Sequence, residues 1–242
     1  MKELAELQLF SLLKKIPYEN VSKILRLFEK PENRPRSSQT VLREYQENRR
    51  GGTCFSLVNL VVRSLKIEGI HAFPVKADIH RRTFPHFFVI IDYNNKNYLV
   101  DPGYLINEPI ELKEINNINK AGSAISFELK KISEEKYSLS TISSGIKKER
   151  YNFSINEVSK EEFWAYWIKS FDYINEIVAS RHIDNKFIYI NGHYVQIRSN
   201  ENLEKYRSAE KSYEYLNTYF HLDHKLIIQA EETLEFHKNY KQ

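Results

Sequence analysis

One cysteine in 242 residues leaves no partner for an intramolecular disulfide and no thiol pair for a metal site. That usage fits a reducing compartment, and the expected setting is cytoplasmic, with no metal. Residues 1 to 6 carry acids and no long apolar stretch, so no signal peptide is expected there. No apolar run approaches the roughly 18 residues of a membrane span, so no membrane partner is expected. The net charge is only +4, and basic residues are interleaved with acids, which leaves no nucleic-acid footprint. Such a mildly basic surface does suit an anionic, phosphorylated ligand. Glycine is scarce, at seven, yet two of the seven lie side by side at 51 and 52, just ahead of the lone Cys54.

What is present is an ordinary globular composition, 41% hydrophobic and 28% charged, rich in tyrosine (16) and phenylalanine (14). A chain of this length can bury a sizeable core. Residues 2 to 15 read as an amphipathic helix, interrupted by Pro17. Helices are expected again over 22 to 30 and 39 to 48. From Cys54 to Glu68 the apolar residues Phe55, Val58, Val62 and Leu65 fall at helical spacing, widened by Leu57, Leu60 and Val61, so this helix should be buried. Thr53, Gly52 or Cys54 can cap it, and Gly69 is its natural stop. Strands are expected at 72 to 78, 87 to 91, 98 to 100, 109 to 113, 125 to 130, 135 to 142 and 147 to 153, forming an antiparallel meander or small barrel. Residues 159 to 180, 203 to 219 and 223 to 238 read as helices, around a hairpin at 186 to 198 that turns at Asn191-Gly192.

Cys54 alone proves little, because a free cysteine is usually an inert buried hydrophobe. Its position is more telling. The first turn of a helix offers unpaired N–H groups and the positive end of the dipole, which favour a thiolate. The preceding glycines leave room for a substrate beside the sulfur. His86 opens the strongest strand and Asp101 closes the next. A two-residue loop at Asn94-Asn95 pairs Tyr93 with Lys96, and a four-residue loop pairs Ile91 with Lys96. In either register His86 and Asp101 point to the same face, whereas a three-residue loop would separate them. An imidazole held by a carboxylate can take a proton from a thiol and return it to a leaving group. Taken singly, His86 reads equally as a hydrogen-bonded strand-end residue and Asp101 as a turn starter. Glu19, after an apolar stretch, reads either as a partly buried acid that needs a cation or as part of a solvated turn.

Arg50-Gly51-Gly52-Thr53-Cys54-Phe55 resembles the nucleophile motif of the arylamine N-acetyltransferase family. Ile16-Pro17-Tyr18-Glu19-Asn20-Val21 resembles its Pro-Phe-Glu-Asn-Leu segment, and His86 followed by Tyr98-Leu99-Val100-Asp101-Pro102-Gly103-Tyr104 resembles its His and Asp motifs in order and separation. The resemblance implies an α+β fold with a cysteine-protease/transglutaminase-like core. Its parts are a helical N-terminal bundle (1 to 75), an antiparallel β-barrel middle domain (76 to 157) and a C-terminal α/β lid (158 to 242). It implies acetyl transfer from acetyl-CoA, as co-substrate, to arylamines or arylhydrazines. Cys54 would be the nucleophile, His86 the acid and base, and Asp101 the orienter. Tyr18, Phe55, Gly103 and Tyr104 would bind substrate, and Glu19 and Arg50 would form a structural ion pair. A monomer or weak homo-oligomer is expected. The chain departs from the family at Thr53, Ser56, Val58 and Leu105 and is shorter between 105 and 160, which bears on pocket shape and acyl preference. Two other functions compete. One is a transglutaminase-like or amide-forming acyltransferase with another donor, and the other is a catalytically silent homologue acting as a binding module.

Overall fold

The computed structural model describes residues 2–79, 84–113, 115–118 and 125–240. The first of these segments is mainly helical, with α1 (Lys2–Ala5), α2 (Gln8–Leu13), α3 (Val21–Ile24), α4 (Ser38–Asn48) and α5 (Cys54–Ile67). The expected first helix is two, and α3 is shorter than expected. Ser37 caps α4 by accepting from the Thr40 N–H at 3.1 Å. Gly69, at φ +73, follows α5 where a left-handed residue is wanted. The stripe on α5 is buried as its spacing predicts, with Val58, Leu60, Val61 and Leu65 at 0% exposure, and the helix packs on strands β2 (His71–Ile79) and β3 (His86–Tyr93).

Those strands belong to an eight-stranded antiparallel sheet that curls as a half-barrel. Its other members are β4 (Lys96–Asp101), β5 (Ile106–Glu111), β6 (Ile115–Ile118), β7 (Ser126–Lys131), β8 (Lys136–Ser143) and β9 (Ile146–Glu157), in the order β5-β4-β3-β2-β9-β8-β7-β6. The continuous apolar run of β3 is explained by burial on both faces. Phe87, Val89 and Ile91 join the core around α5, while Phe88 and Ile90 join the core inside the curl with Leu99, Leu129 and Tyr151. The position expected to divide the first two domains, at 75, lies in the middle of β2.

A second antiparallel sheet follows. It orders β1 (Tyr18–Glu19), β10 (Val178–Ile183), β11 (Lys186–Asn191), β12 (Tyr194–Arg198) and β13 (Leu203–Arg207), accompanied by α6 (Lys160–Lys169), α7 (Ala209–Phe220) and α8 (His224–Tyr240). Two expectations are corrected here. The helix expected over 159 to 180 stops at Lys169, because residues 178 to 183 are drawn into pairing with β1 and β11. The helix expected from 203 begins instead with strand β13, paired to β12. The hairpin turns after Asn191, at Gly192 (φ +54) and His193. Among the described residues no helix is long and apolar enough to cross a membrane.

Candidate active site

The loop before Cys54 is stapled into place from two directions. Tyr18 bridges Gly52 on one side and pairs with Ser180 on the other. The Glu19 N–H donates to the Gly52 carbonyl at 3.1 Å, and the Gly52 N–H to the Pro17 carbonyl at 3.3 Å. A Cβ on Gly51 would lie 1.8 Å from the Pro17 carbonyl oxygen, so only glycine fits this crossing. Thr53 then occupies the N-cap of α5 and Cys54 its first position, partly exposed.

The β3–β4 hairpin turns on two residues, Asn94 and Asn95, both left-handed at φ 52 and 59, and pairs Tyr93 with Lys96. Primed turns of this kind match the strand twist and favour Asn. The register places His86 and Asp101 on one face as diagonal neighbours, and their side chains meet. His86 Nε2 lies 2.9 Å from both Asp101 oxygens. Asp101 is fully buried. Its carboxylate also accepts from the Tyr104 N–H at 3.2 Å and from the Tyr151 hydroxyl at 2.6 Å.

With Nε2 committed to Asp101, the other ring nitrogen is left for Cys54, which is near enough to favour the protonated imidazole. Gly103 marks the point of convergence. A Cβ there would meet His86 Cε1 at 2.6 Å, Asp101 Oδ1 at 3.2 Å and Cys54 Cβ at 3.3 Å. Burial disfavours a charged imidazole, but the Asp101 charge, the hydrogen bond His86 donates to it and a smaller contribution from Cys54 together outweigh it and raise the His86 pKa to about 10. Burial first, and the Asp101 charge second, push the Tyr151 hydroxyl well above its ordinary range, so it stays a donor.

Two cavities meet at His86. One, of about 500 Å³, opens between the sheets and is lined by Tyr18, Gly103, Tyr104, Arg150 and Arg198 among others. The second, of about 690 Å³, contains Cys54 together with Lys23, Phe84, Ser170 and Tyr173. Tyr18 and His86 line both. Phe55 walls the second cavity but is only 2% exposed, and its ring is packed among Phe87 (4.9 Å) and Phe163 (5.4 Å). It therefore anchors the helix start more than it faces a ligand.

The expected Glu19–Arg50 ion pair is not made. Glu19 is fully buried, and its two oxygens accept from the Ser22 N–H at 2.9 Å and the Ser22 hydroxyl at 2.6 Å, which makes it a cap for α3. Arg50 Nε is buried with no hydrogen-bond partner. Arg36 buttresses the glycine loop instead. Its guanidinium pairs with Glu44 at 2.6 Å and donates to the Gly51 carbonyl at 2.9 Å. Tyr151, Lys23 and Arg36 were not evident in the sequence. Lys23 alone left a trace, as a charge within the apolar stretch from Val21 to Leu25.

A thiol at a helix start, an imidazole beside it and a buried carboxylate behind the imidazole define a site suited to nucleophilic acyl transfer. The family model for N-acetyltransferase matches residues 1–227, and the chain belongs to that family. No curated protein sequence matches it. Among solved structures, the arylamine N-acetyltransferase of Mycobacterium marinum is similar at a TM-score of 0.75 and 15% identity, over 94% of this chain and 92% of that one. The same enzyme in complex with CoA gives 0.74 and 15%, over 96% and 93%. An arylamine N-acetyltransferase from Bacillus cereus, described with a Cys-His-Glu catalytic triad, gives 0.69 and 17%, over 90% and 89%. These likenesses show the shared α+β fold.

Proposed function

We propose that the protein is an acetyl-CoA-dependent arylamine N-acetyltransferase working by a ping-pong mechanism through Cys54. Cys54 passes its proton to His86, whose imidazolium Asp101 stabilises, and the sulfur then attacks the thioester carbonyl of acetyl-CoA. The tetrahedral intermediate collapses, the C–S bond to CoA breaks, and His86 returns the proton to the departing CoA sulfur. An arylamine or arylhydrazine then attacks the acetyl-Cys54 carbonyl, and His86 accepts the amine proton. Collapse releases the N-acetyl product, and the proton returns to the Cys54 sulfur. Asp101 keeps Nε2 protonated, leaves the other ring nitrogen to the sulfur and stabilises the imidazolium. The Cys54 backbone N–H, unpaired at the start of α5, is suited to the oxyanion. Tyr18, Gly103 and Tyr104 shape the space beside the sulfur. A free thiol nucleophile fits a reducing, cytoplasmic setting.

The observation that carries this reading is the convergence on Gly103, where Cys54, His86 and Asp101 all lie within contact distance of one backbone atom's missing side chain. The test uses acetyl-CoA with no amine present. Intact-mass measurement should show one acetyl adduct that is absent in Cys54→Ser, or CoA release where the thioester hydrolyses quickly. Adding an arylamine should discharge the adduct to N-acetyl product. Neither adduct nor CoA release in folded protein would overturn the reading and favour another acyl donor or a silent binding module.

A further inference from the structure

The mechanism above leaves one buried charge beside the nucleophile unused. Lys23, on α3, is 8% exposed. Its ammonium donates to the Ser170 carbonyl at 3.0 Å and the Ser170 hydroxyl at 2.6 Å. It lies 4.7 Å from the centre of the Phe171 ring and 5.9 Å from that of Phe55. These partners are neutral. Buried ammonium groups are ordinarily paired with a carboxylate, and among the described residues none lies within ion-pair distance of Lys23. Asp172 acts on it only at longer range. Burial lowers its pKa to about 8, against the raising effect of Cys54 and Asp172, so the group is still largely an ammonium at neutral pH.

Lys23 lines the cavity of about 690 Å³ that holds Cys54 and His86, as does Ser170, to which its ammonium donates. Among the described residues the one carboxylate lining the same cavity, Glu176, is exposed and is 3.6 Å from Lys238. An incoming anion would thus find a desolvated cation with no carboxylate in ion-pair contact among the described residues, beside the Phe171 ring and in the cavity that holds the reacting sulfur.

We propose that Lys23 determines specificity by receiving a carboxylate carried by the substrate that reacts at Cys54, so that the enzyme prefers carboxylate-bearing substrates to their neutral counterparts. This rests on the acyl-transfer reading of Cys54. The carboxylate has two possible carriers, the aromatic amine acceptor and the acyl group of the donor. A charge-assisted bond in a desolvated site is worth on the order of tenfold or more in affinity or kcat/KM.

The experiment has one arm for each carrier. The first compares kcat/KM for 4-aminobenzoate and its methyl ester, with acetyl-CoA as donor. The second compares Cys54 charging by succinyl-CoA and by butyryl-CoA, which lacks the carboxylate. Wild type should favour the carboxylate partner by on the order of tenfold or more in one arm, and Lys23→Met or Lys23→Gln should bring that ratio close to parity. The arm that responds identifies the carrier. No preference in either arm of wild type, or a preference that survives both variants, would overturn the proposal. A readout that needs no variant is protection of the lone cysteine from iodoacetamide. Benzoate should protect better than benzamide, and equal protection would count against Lys23. Wild type that charges from acetyl-CoA but shows no carboxylate preference sinks this inference alone, whereas wild type that never charges sinks the acyl-transfer reading first.

Discussion

Asp101 and Glu19 are both carboxylates withdrawn completely from solvent, and each accepts from a backbone N–H three residues on, but the rest of their donors differ. Asp101 takes its other donors from distant parts of the chain, His86 fifteen residues back and Tyr151 fifty residues on. Glu19 is satisfied three residues away, by the backbone N–H and hydroxyl of Ser22. Both arrangements offset the cost of burying a charge. Only the first spends the carboxylate on a group that must change its protonation, whereas the second fixes a short helix next to the nucleophile's loop. Burial of an acid near a reactive centre is therefore no sign of a chemical role; the identity of its donors is.

Breaking the first arrangement should have the largest effect. Asp101→Asn keeps the size of the side chain and an oxygen for the Tyr104 N–H, but it loses the charge that holds the imidazolium and its tautomer. Turnover should fall by on the order of 10²-fold or more with the fold retained. Near-unchanged kinetics in folded protein would remove Asp101 from the mechanism. Stability gives a second readout. The folded-state pKa of His86 is about 10 against an ordinary 6.5, so its contribution is complete below the lower value and is lost as pH rises through the upper one. Through His86, melting temperatures of wild type and Asp101→Asn should differ most below the ordinary value of 6.5 and converge as pH rises through about 10. Curves that stay parallel across that window would mean the pair contributes nothing through His86.

Gly103→Ala tests the geometry with the charges left in place. The added methyl would sit 2.6 Å from His86 Cε1, closer than any Cβ contact tolerates, so the ring must move. A displacement of about 1 Å can cost about 10²-fold, and the loss should appear in Cys54 charging as well as in overall turnover. Wild-type kinetics would show that the imidazole can shift without losing the sulfur.

For Glu19 the expected loss is in stability. Glu19→Gln brings an amide NH₂ against the Ser22 donors and should cost ~1–3 kcal/mol in thermal or denaturant unfolding. Arg50→Gln should cost less, since Arg50 is not a partner of that carboxylate. Equal single losses that fail to add in the double variant would restore the ion pair that the motif led us to expect.

The residues whose signals are local were legible. The Asn94-Asn95 turn and the unbroken apolar run of β3 were enough to put His86 and Asp101 on one face, and α5 carries its own spacing and stop. What escaped depends on partners far along the chain. Ile174, Ile177 and Val178 continue a helical spacing, yet β10 forms because β1, some 160 residues earlier, and β11 supply its ladders. Leu203 to Arg207 have helical propensity, but their exposure alternates along an edge strand. Arg50 was assigned by its place in a motif, whereas Arg36, with no motif around it, reaches the glycine loop. Tyr151 sits among the alternating residues of β9, and nothing in that alternation announces a hydroxyl aimed at a carboxylate fifty residues away.

Tyr151→Phe is the mildest test. The ring would keep its packing, 5.3 Å from His86 and 5.5 Å from Phe88 between centroids, so the pocket should hold its shape. Only the 2.6 Å hydrogen bond to Asp101 is removed. Burial and the Asp101 charge push the hydroxyl well above its ordinary range, so it remains the donor in this bond at neutral pH. Asp101 retains His86 and the Tyr104 N–H, so the carboxylate is less restrained but not stranded. One charge-assisted bond, partly replaced by the others, corresponds to a loss of roughly tenfold or less in kcat/KM. A loss as large as that of Asp101→Asn would mean that the hydroxyl, rather than the hairpin register, sets the carboxylate's position. No loss at all would mean that His86 and the Tyr104 N–H hold it unaided.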